Sequence, residues 1–207
     1  DDKNIKKILR EINTNNILTY GFNKSNNYQI TRPKFNLNKC KFDLIIKKLD
    51  NKKTIFKNIT LNLIGKHNIL NSVAAISVCL SLGINIKIIK KALSKFTGVQ
   101  RRMTKIFVNE DNEFYDDYAH HPTEISSVLE GIRKVSGKRK IISVFQPHRF
   151  SRLKILKKEF SKSFIFSDQV ILCPVYAAGE KIDKNFNLVK FAKLLSKNSK
   201  AQVVIVK

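Results

Sequence analysis

Two adjacent histidines stand in the segment of this sequence with the most chemically active side chains. In DDYAHHPTE (116–124), two carboxylates, a phenol and two imidazoles occupy six consecutive positions. Such crowding is costly unless a ligand or cation pairs with the charged groups, so the segment is predicted to bind a ligand or to catalyse a reaction. Its end, PTE, is also typical of a helix start, which explains Pro122 without any function. A zinc site is disfavoured and no metal ligands are predicted, because neighbouring residues in an extended loop point apart and no further histidine follows at ligand spacing.

A second group lies in FQPHRFSR (145–152), where His148, Arg149 and Arg152 stand at a predicted strand-to-helix turn. The planar guanidinium group and the N–H groups of a helix N-terminus both suit a carboxylate or phosphate. The alternative, a merely basic first turn, is disfavoured by the helix dipole. The pattern therefore favours an anion site.

Two further pairs are ambiguous on their own. Asn68 and Asn71 in GKHNILN (65–71) share a helix face, where they either cap the helix or present amides to a nucleotide. Arg101 and Arg102 follow a predicted domain boundary near TGVQRR, and they are either a surface pair or a hinge arginine that reaches a phosphate or ribose.

The elements that must position these residues suggest two α/β domains, residues 1–100 and 101–207. After Arg102, apolar strands and amphipathic helices alternate, which predicts a Rossmann-like parallel sheet with helices on both faces. Ligands of such sheets lie beyond the carboxyl ends of the strands. The loops DYAHHPTE, FQPHRFSR and VYAAGEK are predicted to meet there.

The first domain is predicted to be mixed in structure. A helix over 3–12 and a short strand in ILTYGF precede antiparallel strands between Tyr28 and Ile64, with a turn at LDNKK (49–53). A deeply buried helix is expected over 69–82, and a further helix follows with Asn85 as its cap and Ile88 and Ile89 on its apolar side.

Composition narrows the class of protein. The net charge of +24 is spread over every segment without a recognisable nucleic-acid-binding pattern, so a specific nucleic-acid partner is not predicted. A basic Rossmann-like nucleic-acid-binding module remains an alternative. Cys40, Cys79 and Cys173 are far apart, which indicates reduced thiols. With no transmembrane run or signal peptide visible, we expect a cytoplasmic protein and no membrane partner.

Five motifs together resemble the Mur ligase family: GKHNILNSVAAISVCLSLGI, TGVQRR, DDYAHHPTEI, FQPHRFSR and VYAAGE, in this order. The resemblance covers most of the chain. It implies an ATP-dependent ligation in which the carboxylate of UDP-N-acetylmuramate becomes an acyl phosphate, L-alanine attacks it, and Mg²⁺ neutralises charge. A family member that recycles murein peptides has a similar HHPT loop and is an alternative, although FQPHR is not expected in it.

The resemblance also implies residue roles. The residues implied at the adenine side of ATP are His67, Asn68 and Asn71. Those implied near ribose and phosphate are Arg102, or its neighbour Arg101, and Asp117. Those implied around the incoming alanine are Tyr118, His120, His148, Arg149 and Arg152. The catalytic set is Asp117, His120 and Arg102.

The sequence also departs from the family pattern. It contains no G-x-x-x-x-G-K-[ST] phosphate loop, and no preceding UDP-binding domain is visible. We therefore expect a fragment: the end of the central ATPase domain joined to a C-terminal domain that is truncated at its end. Such a chain should be inactive without the missing N-terminal part of the same protein.

Overall fold

The structure, a computed structural model, describes residues 1–9, 11–12, 17–36, 39–47 and 52–206. The chain divides into two compact units, Asp1–Gly98 (unit 1) and Val99–Lys207 (unit 2). Both contain helices packed on a sheet, as the predicted α/β class requires.

Unit 1 is built on a four-stranded sheet in the order β1-β2-β3-β4, in which β1 runs parallel to β2 and the remaining pairs are antiparallel. The predicted antiparallel strands are thus confirmed. The predicted turn at 49–53 falls mostly outside the described residues. The elements are α1 (Lys3–Ile8), β1 (Tyr20–Gly21), β2 (Tyr28–Asn36), β3 (Lys39–Lys47), β4 (Lys53–Leu61), α2 (Lys66–Ser81) and α3 (Ile86–Lys95).

The core of unit 1 lies between this sheet and α2. Cys40, Phe42 and Leu44 alternate along β3 with more exposed residues and pack into one cluster with Ile69 and Val73 of α2. The opposite face of α2 is not covered within unit 1, since Val78 is 57% exposed. The expectation of a deeply buried α2 is therefore wrong for this unit.

The predicted cap of α3 is confirmed, because the Asn85 side chain accepts a hydrogen bond from the Lys87 N–H at 2.9 Å. Its predicted apolar side is only partly right. Ile89 is buried, whereas Ile88 is 63% exposed. A helix turns by about 100° per residue, so adjacent isoleucines cannot both face the same narrow contact.

Unit 2 contains a hairpin and a separate parallel sheet in the order β7-β8-β9. The helical segment after the FQPHRFSR turn is two short helices that meet at Leu156. The elements are β5 (Thr104–Val108), β6 (Glu113–Asp116), α4 (Pro122–Ser136), β7 (Ile142–Phe145), α5 (Phe150–Ile155), α6 (Lys157–Lys162), β8 (Gln169–Leu172), α7 (Leu188–Ser199) and β9 (Gln202–Ile205).

The described helices of unit 2 pack on one face of the parallel sheet, not on both as predicted. Phe145, Val170 and Leu172 share one core with apolar residues of α4 to α7. Ile142 and Val144, on the other face, are 52% and 70% exposed. The strand order explains this arrangement. The connections from β7 to β8 and from β8 to β9 both lead to the next strand on the same side, so right-handed connections place their helices on the same face.

The three cysteines are free, as predicted. Cys40 is fully buried, and this burial raises the pKa of its thiol to about 11, although the Gly65 backbone N–H opposes the shift. Among the residues described, no helix has both the length and the apolar composition needed to cross a membrane.

Candidate functional site

Two of the predicted loops meet at the carboxyl ends of β7 and β8. His148 and Tyr176 form a parallel bridge that extends the pairing of these strands. The Arg149 N–H donates to the Tyr176 carbonyl at 2.9 Å, and the Tyr176 N–H donates to the Pro147 carbonyl at 2.8 Å. These bonds hold the His148 and Tyr176 rings edge to face, with their centroids 5.2 Å apart.

The third loop reaches the same place by another route, because it follows β6 of the hairpin and not a strand of the parallel sheet. Arg152 Nη1 lies 3.4 Å from the His120 carbonyl oxygen. The His120 ring in turn packs edge to face on Tyr118, with centroids 5.0 Å apart. We call the resulting group, Tyr118, His120, His148, Arg152 and Tyr176, the strand-end cluster.

The adjacent histidines have different roles. His121 is the N-cap of α4, and its Nδ1 accepts a hydrogen bond from the Thr123 N–H at 3.3 Å. The Glu124 carboxylate completes a capping box by accepting from the backbone N–H groups of His120 and His121. The His120 ring instead bonds to the Tyr118 carbonyl through Nδ1 at 2.9 Å. In the neutral ring this bond makes Nδ1 the donor and leaves Nε2 as a proton acceptor.

The His121→Ala substitution is expected to destabilise unit 2 by about 1 kcal/mol, the usual cost of removing a helix N-cap. His121→Asn should restore most of this loss, because asparagine is a favoured capping residue. Thermal unfolding followed by circular dichroism measures both. An alanine variant as stable as the parent would show that the cap contributes nothing.

The Arg102 charge acts on the pKa of the Glu124 carboxylate. Burial alone would raise the pKa of Glu124, but the backbone N–H groups of His120 and His121 and the charges of His120 and Arg102 lower it below its ordinary value. Arg102 thus affects the 120–124 segment, although its side chain is exposed.

Its neighbour Arg101 faces Tyr118. The guanidinium carbon lies 4.7 Å from the Tyr118 ring centroid, and Nε is 3.6 Å from an Asp116 carboxylate oxygen. The two adjacent arginines therefore have different surroundings. The sequence did not determine which of them would lie against Tyr118.

Asp117 organises the backbone around the loop. One carboxylate oxygen accepts from the Met103 N–H at 2.9 Å, and the other accepts from the Ala119 N–H at 2.8 Å. Arg101 and Met103 both have positive φ angles, 59° and 53°, a conformation that non-glycine residues rarely adopt without support. Asp117 supplies part of this support, and each of its oxygens retains a lone pair for a further donor.

His148 is kept neutral by its surroundings. Partial burial lowers its pKa below 6.5, and the charges of His120, Arg152 and Arg101 act in the same direction. Because the folded-state pKa lies below the unfolded value, the unfolded chain binds more protons, and stability falls as the pH drops below about 6.5.

We expect Arg152→Gln to raise the pKa of His148 without bringing it fully to 6.5, since burial, the larger cause, remains. NMR titration of the imidazole resonances in the parent and the variant measures the shift. An unchanged or lower pKa in the variant would contradict the placement of Arg152 beside His148.

Glu180 is a further residue at this edge of the sheet that the sequence did not single out. Its carboxylate accepts from both the N–H and the hydroxyl of Ser151, so it occupies the N-terminus of α5. These bonds, together with the Arg149 charge, hold the pKa of Glu180 below its ordinary value. The helix terminus predicted to bind a carboxylate ligand is thus taken by the chain itself, and an anion would have to rely on the arginine side chains. Glu180 is part of the motif VYAAGE, but the motif does not indicate that its carboxylate would bond to the distant Ser151.

The residues predicted at the adenine side of ATP belong to unit 1. The N-cap of α2 is Gly65, with φ 101°, and no side chain caps this helix terminus. The Asn68 amide donates to the Ile64 carbonyl at 2.8 Å, while Asn71, one turn later, is exposed. The His67 ring packs against Gly65, where an added Cβ would lie 2.6 Å from the ring.

The part of the chain that the structure describes contains no group of three or more His, Cys, Asp or Glu arranged to hold a metal ion.

Comparison with known proteins identifies the class. The sequence matches the Mur ligase, glutamate ligase domain over residues 101–206 and the Mur ligase middle domain over residues 1–79. The chain belongs to the Mur ligase family.

Its relatives are more specific. It is 49% identical over 206 residues to the UDP-N-acetylmuramate–L-alanine ligase of Pelagibacter ubique, covering 100% of this chain and 44% of that protein. The crystal structure of the UDP-N-acetylmuramate–alanine ligase from Thermotoga maritima superposes with a TM-score of 0.69 at 27% identity, covering 91% of this chain and 39% of that one. A murein peptide ligase from Psychrobacter arcticus shares the fold, with a TM-score of 0.57 at 20% identity over 92% of this chain and 38% of that one. The chain thus spans less than half the length of the relatives it matches.

Proposed function

We propose that this chain forms part of a cytoplasmic ligase that joins L-alanine to UDP-N-acetylmuramate, with ATP hydrolysed to ADP and phosphate. The observation that carries the proposal is the strand-end cluster, which combines a guanidinium group with neutral imidazole in one place. Similarity over the whole chain to an L-alanine ligase supports it. In this proposal, residues 1–100 contribute to the ATP-binding domain and residues 101–207 bind the amino acid.

The cluster suits a small amino acid. Arg152, which is half-buried, would bind the alanine carboxylate, and the exposed Arg149 would add a second positive charge at the rim. Tyr118 and His148 would flank the methyl group and the amine. In the neutral tautomer set by the Nδ1 bond, His120 Nε2 would accept the proton that the alanine ammonium must lose before it attacks.

ATP, when bound, would supply the phosphoryl group that converts the muramate carboxylate into an acyl phosphate. The N-terminus of α2 fits a nucleotide, because its N–H groups have no side-chain cap and the Asn71 amide is exposed beside them. His67 and Asn68 would complete the adenine side. Asp117 and Arg102 would bind toward ribose and phosphate. No residue of this chain is proposed to bind Mg²⁺.

The test is a coupled assay of ADP formation with the protein encoded by the complete reading frame, UDP-N-acetylmuramate and L-alanine. ADP release that requires both substrates supports the proposal. Release only with a murein tripeptide in place of L-alanine would instead indicate the recycling activity. No ADP release with either, combined with salt-sensitive binding of arbitrary DNA or RNA, would favour a nucleic-acid-binding module.

A further inference from the structure

A basic cavity in unit 1 has no part in the proposed ligation. It lies on the sheet face opposite the core, next to the β2–β3 connection, and has a volume of about 370 Å³. This is within the range of small-molecule pockets. Six of the lining residues are cationic or amide side chains: Arg32, Lys34, Asn36, Lys39, Lys41 and Asn58.

The sheet register forces positive charges together in this cavity. Lys34 of β2 is directly opposite Lys41 of β3, and Asn36 is opposite Lys39. Directly opposed residues on antiparallel strands have Cβ atoms about 5 Å apart on the same face, and like charges in that position are destabilising. Lys39 and Lys41 share that face because strand side chains alternate with period two.

The one lining carboxylate is already engaged. Asp43 is buried, and its oxygens accept from the Arg32 Nε at 2.9 Å and the Asn58 N–H at 2.8 Å. Arg32 and Asn58 both have positive φ angles and stand at irregularities of the sheet. Within the described ranges, no carboxylate pairs with Lys34, Lys39 or Lys41. Asp43 therefore holds Arg32 and the Asn58 backbone in place on one side of the cavity. The ammonium groups of Lys34, Lys39 and Lys41 lie in the same lining without a carboxylate partner among the described residues.

The chemical character of the lining distinguishes between classes of ligand. Four of its eight residues are Lys or Arg. A single-stranded nucleic acid would also need aromatic side chains on which bases stack. The aromatic residue of the lining, Phe42, is 1% exposed and faces the core. The cavity therefore fits a compact anion better than a polymer.

We infer that this cavity, the β2–β3 lysine site, binds a small oligophosphate such as a diphosphate, which neutralises the opposed lysines Lys34 and Lys41. A diphosphate carries several negative charges and several oxygens, so one small molecule can contact and neutralise more than one ammonium group, whereas a monovalent anion neutralises only one. The amides of Asn36 and Asn58 supply further donors. Binding should be strongest at low salt, since the lysines are exposed.

The experiment titrates inorganic pyrophosphate into the protein by calorimetry. Lys34→Gln/Lys41→Gln is expected to weaken binding at least tenfold. The matched control Lys87→Gln/Lys91→Gln, which removes the same charge from exposed positions of α3, should bind like the parent. Without pyrophosphate, the Lys34/Lys41 variant should melt at the same temperature as the parent or higher, because repulsion has been removed. A Lys34→Arg/Lys41→Arg variant keeps the charge and should keep binding.

The lysine site would be refuted by three results. One is the absence of pyrophosphate binding to the parent protein, and another is an equal loss in the test and control variants. The third is displacement of pyrophosphate by short single-stranded DNA at lower concentration than by triphosphate, which would assign the surface to nucleic acid. Asn71→Ala, at the proposed adenine side, should leave pyrophosphate binding at the lysine site unchanged. Failure of the ligase proposal is therefore distinguishable from failure of this one.

Discussion

Arg152→Ala is expected to lower kcat/KM for L-alanine by about 100- to 1,000-fold, the kinetic equivalent of the several kcal/mol lost when one partner of a desolvated charge pair is truncated. In the proposed function, the Arg152 guanidinium group binds the alanine carboxylate. In the structure, the same group lies 3.4 Å from the His120 carbonyl oxygen. The assay is ADP release at varied L-alanine concentration, with the protein from the complete reading frame.

Arg139→Ala is the matched control. Arg139 is also in unit 2 but pairs with Glu113 at 2.9 Å, on the β5–β6 hairpin. Exposed pairs contribute little, so its kcat/KM should stay within about twofold of the parent value. If Arg152→Ala turned over like Arg139→Ala, Arg152 would have no role in binding alanine.

Asp117→Asn is expected to reduce kcat/KM about 100-fold and to lower the melting temperature by about 4–8 °C. The carboxylate accepts two backbone N–H groups, whereas an asparagine side chain has one oxygen and would turn its NH₂ group toward the other donor. The lost charge-assisted bond costs about 2 kcal/mol, and a shift of about 1 Å in Tyr118 and His120 would account for the kinetic loss.

Asp116→Asn is its control, at the neighbouring position. The Asp116 side chain is 44% exposed, and its ion pair with Arg101 has a separation of 3.6 Å. Both the melting temperature and kcat/KM should change little. Equal behaviour of the two variants would mean that the Asp117 bonds to Met103 and Ala119 do not matter in solution.

Much of the fold was predictable because its signals are local. Alternation of apolar residues in β2 to β4, Asn85 at the start of α3 and the Pro-Thr-Glu start of α4 each depend on a few neighbouring residues. Burial on a given face was less predictable. The extent to which α2 and the parallel sheet are covered depends on elements distant in sequence, and no window of residues contains that information.

For the candidate site, the sequence predicted which loops meet but not all of their contacts. The concentration of acid, imidazole and guanidinium groups in DDYAHHPTE and FQPHRFSR pointed to one functional edge, and the structure brings Tyr118, His120, His148 and Arg152 together there. The sequence placed the 116–121 loop at the end of a parallel strand, whereas the loop follows the separate β5–β6 hairpin. The sequence also did not predict that Glu180 occupies the N-terminus of α5.

The amino-acid sequence by itself determined the order of the helices and strands, the Asn85 cap of α3 and the chemical character of the loops, because these follow from periodicity and short-range hydrogen bonding. Only the tertiary structure decided that His121 caps a helix while His120 faces the cluster. It alone decided that Asp117 bonds to Met103, and that Lys34 lies opposite Lys41. These outcomes depend on register and chain path, which are set by the packing of residues far apart in sequence.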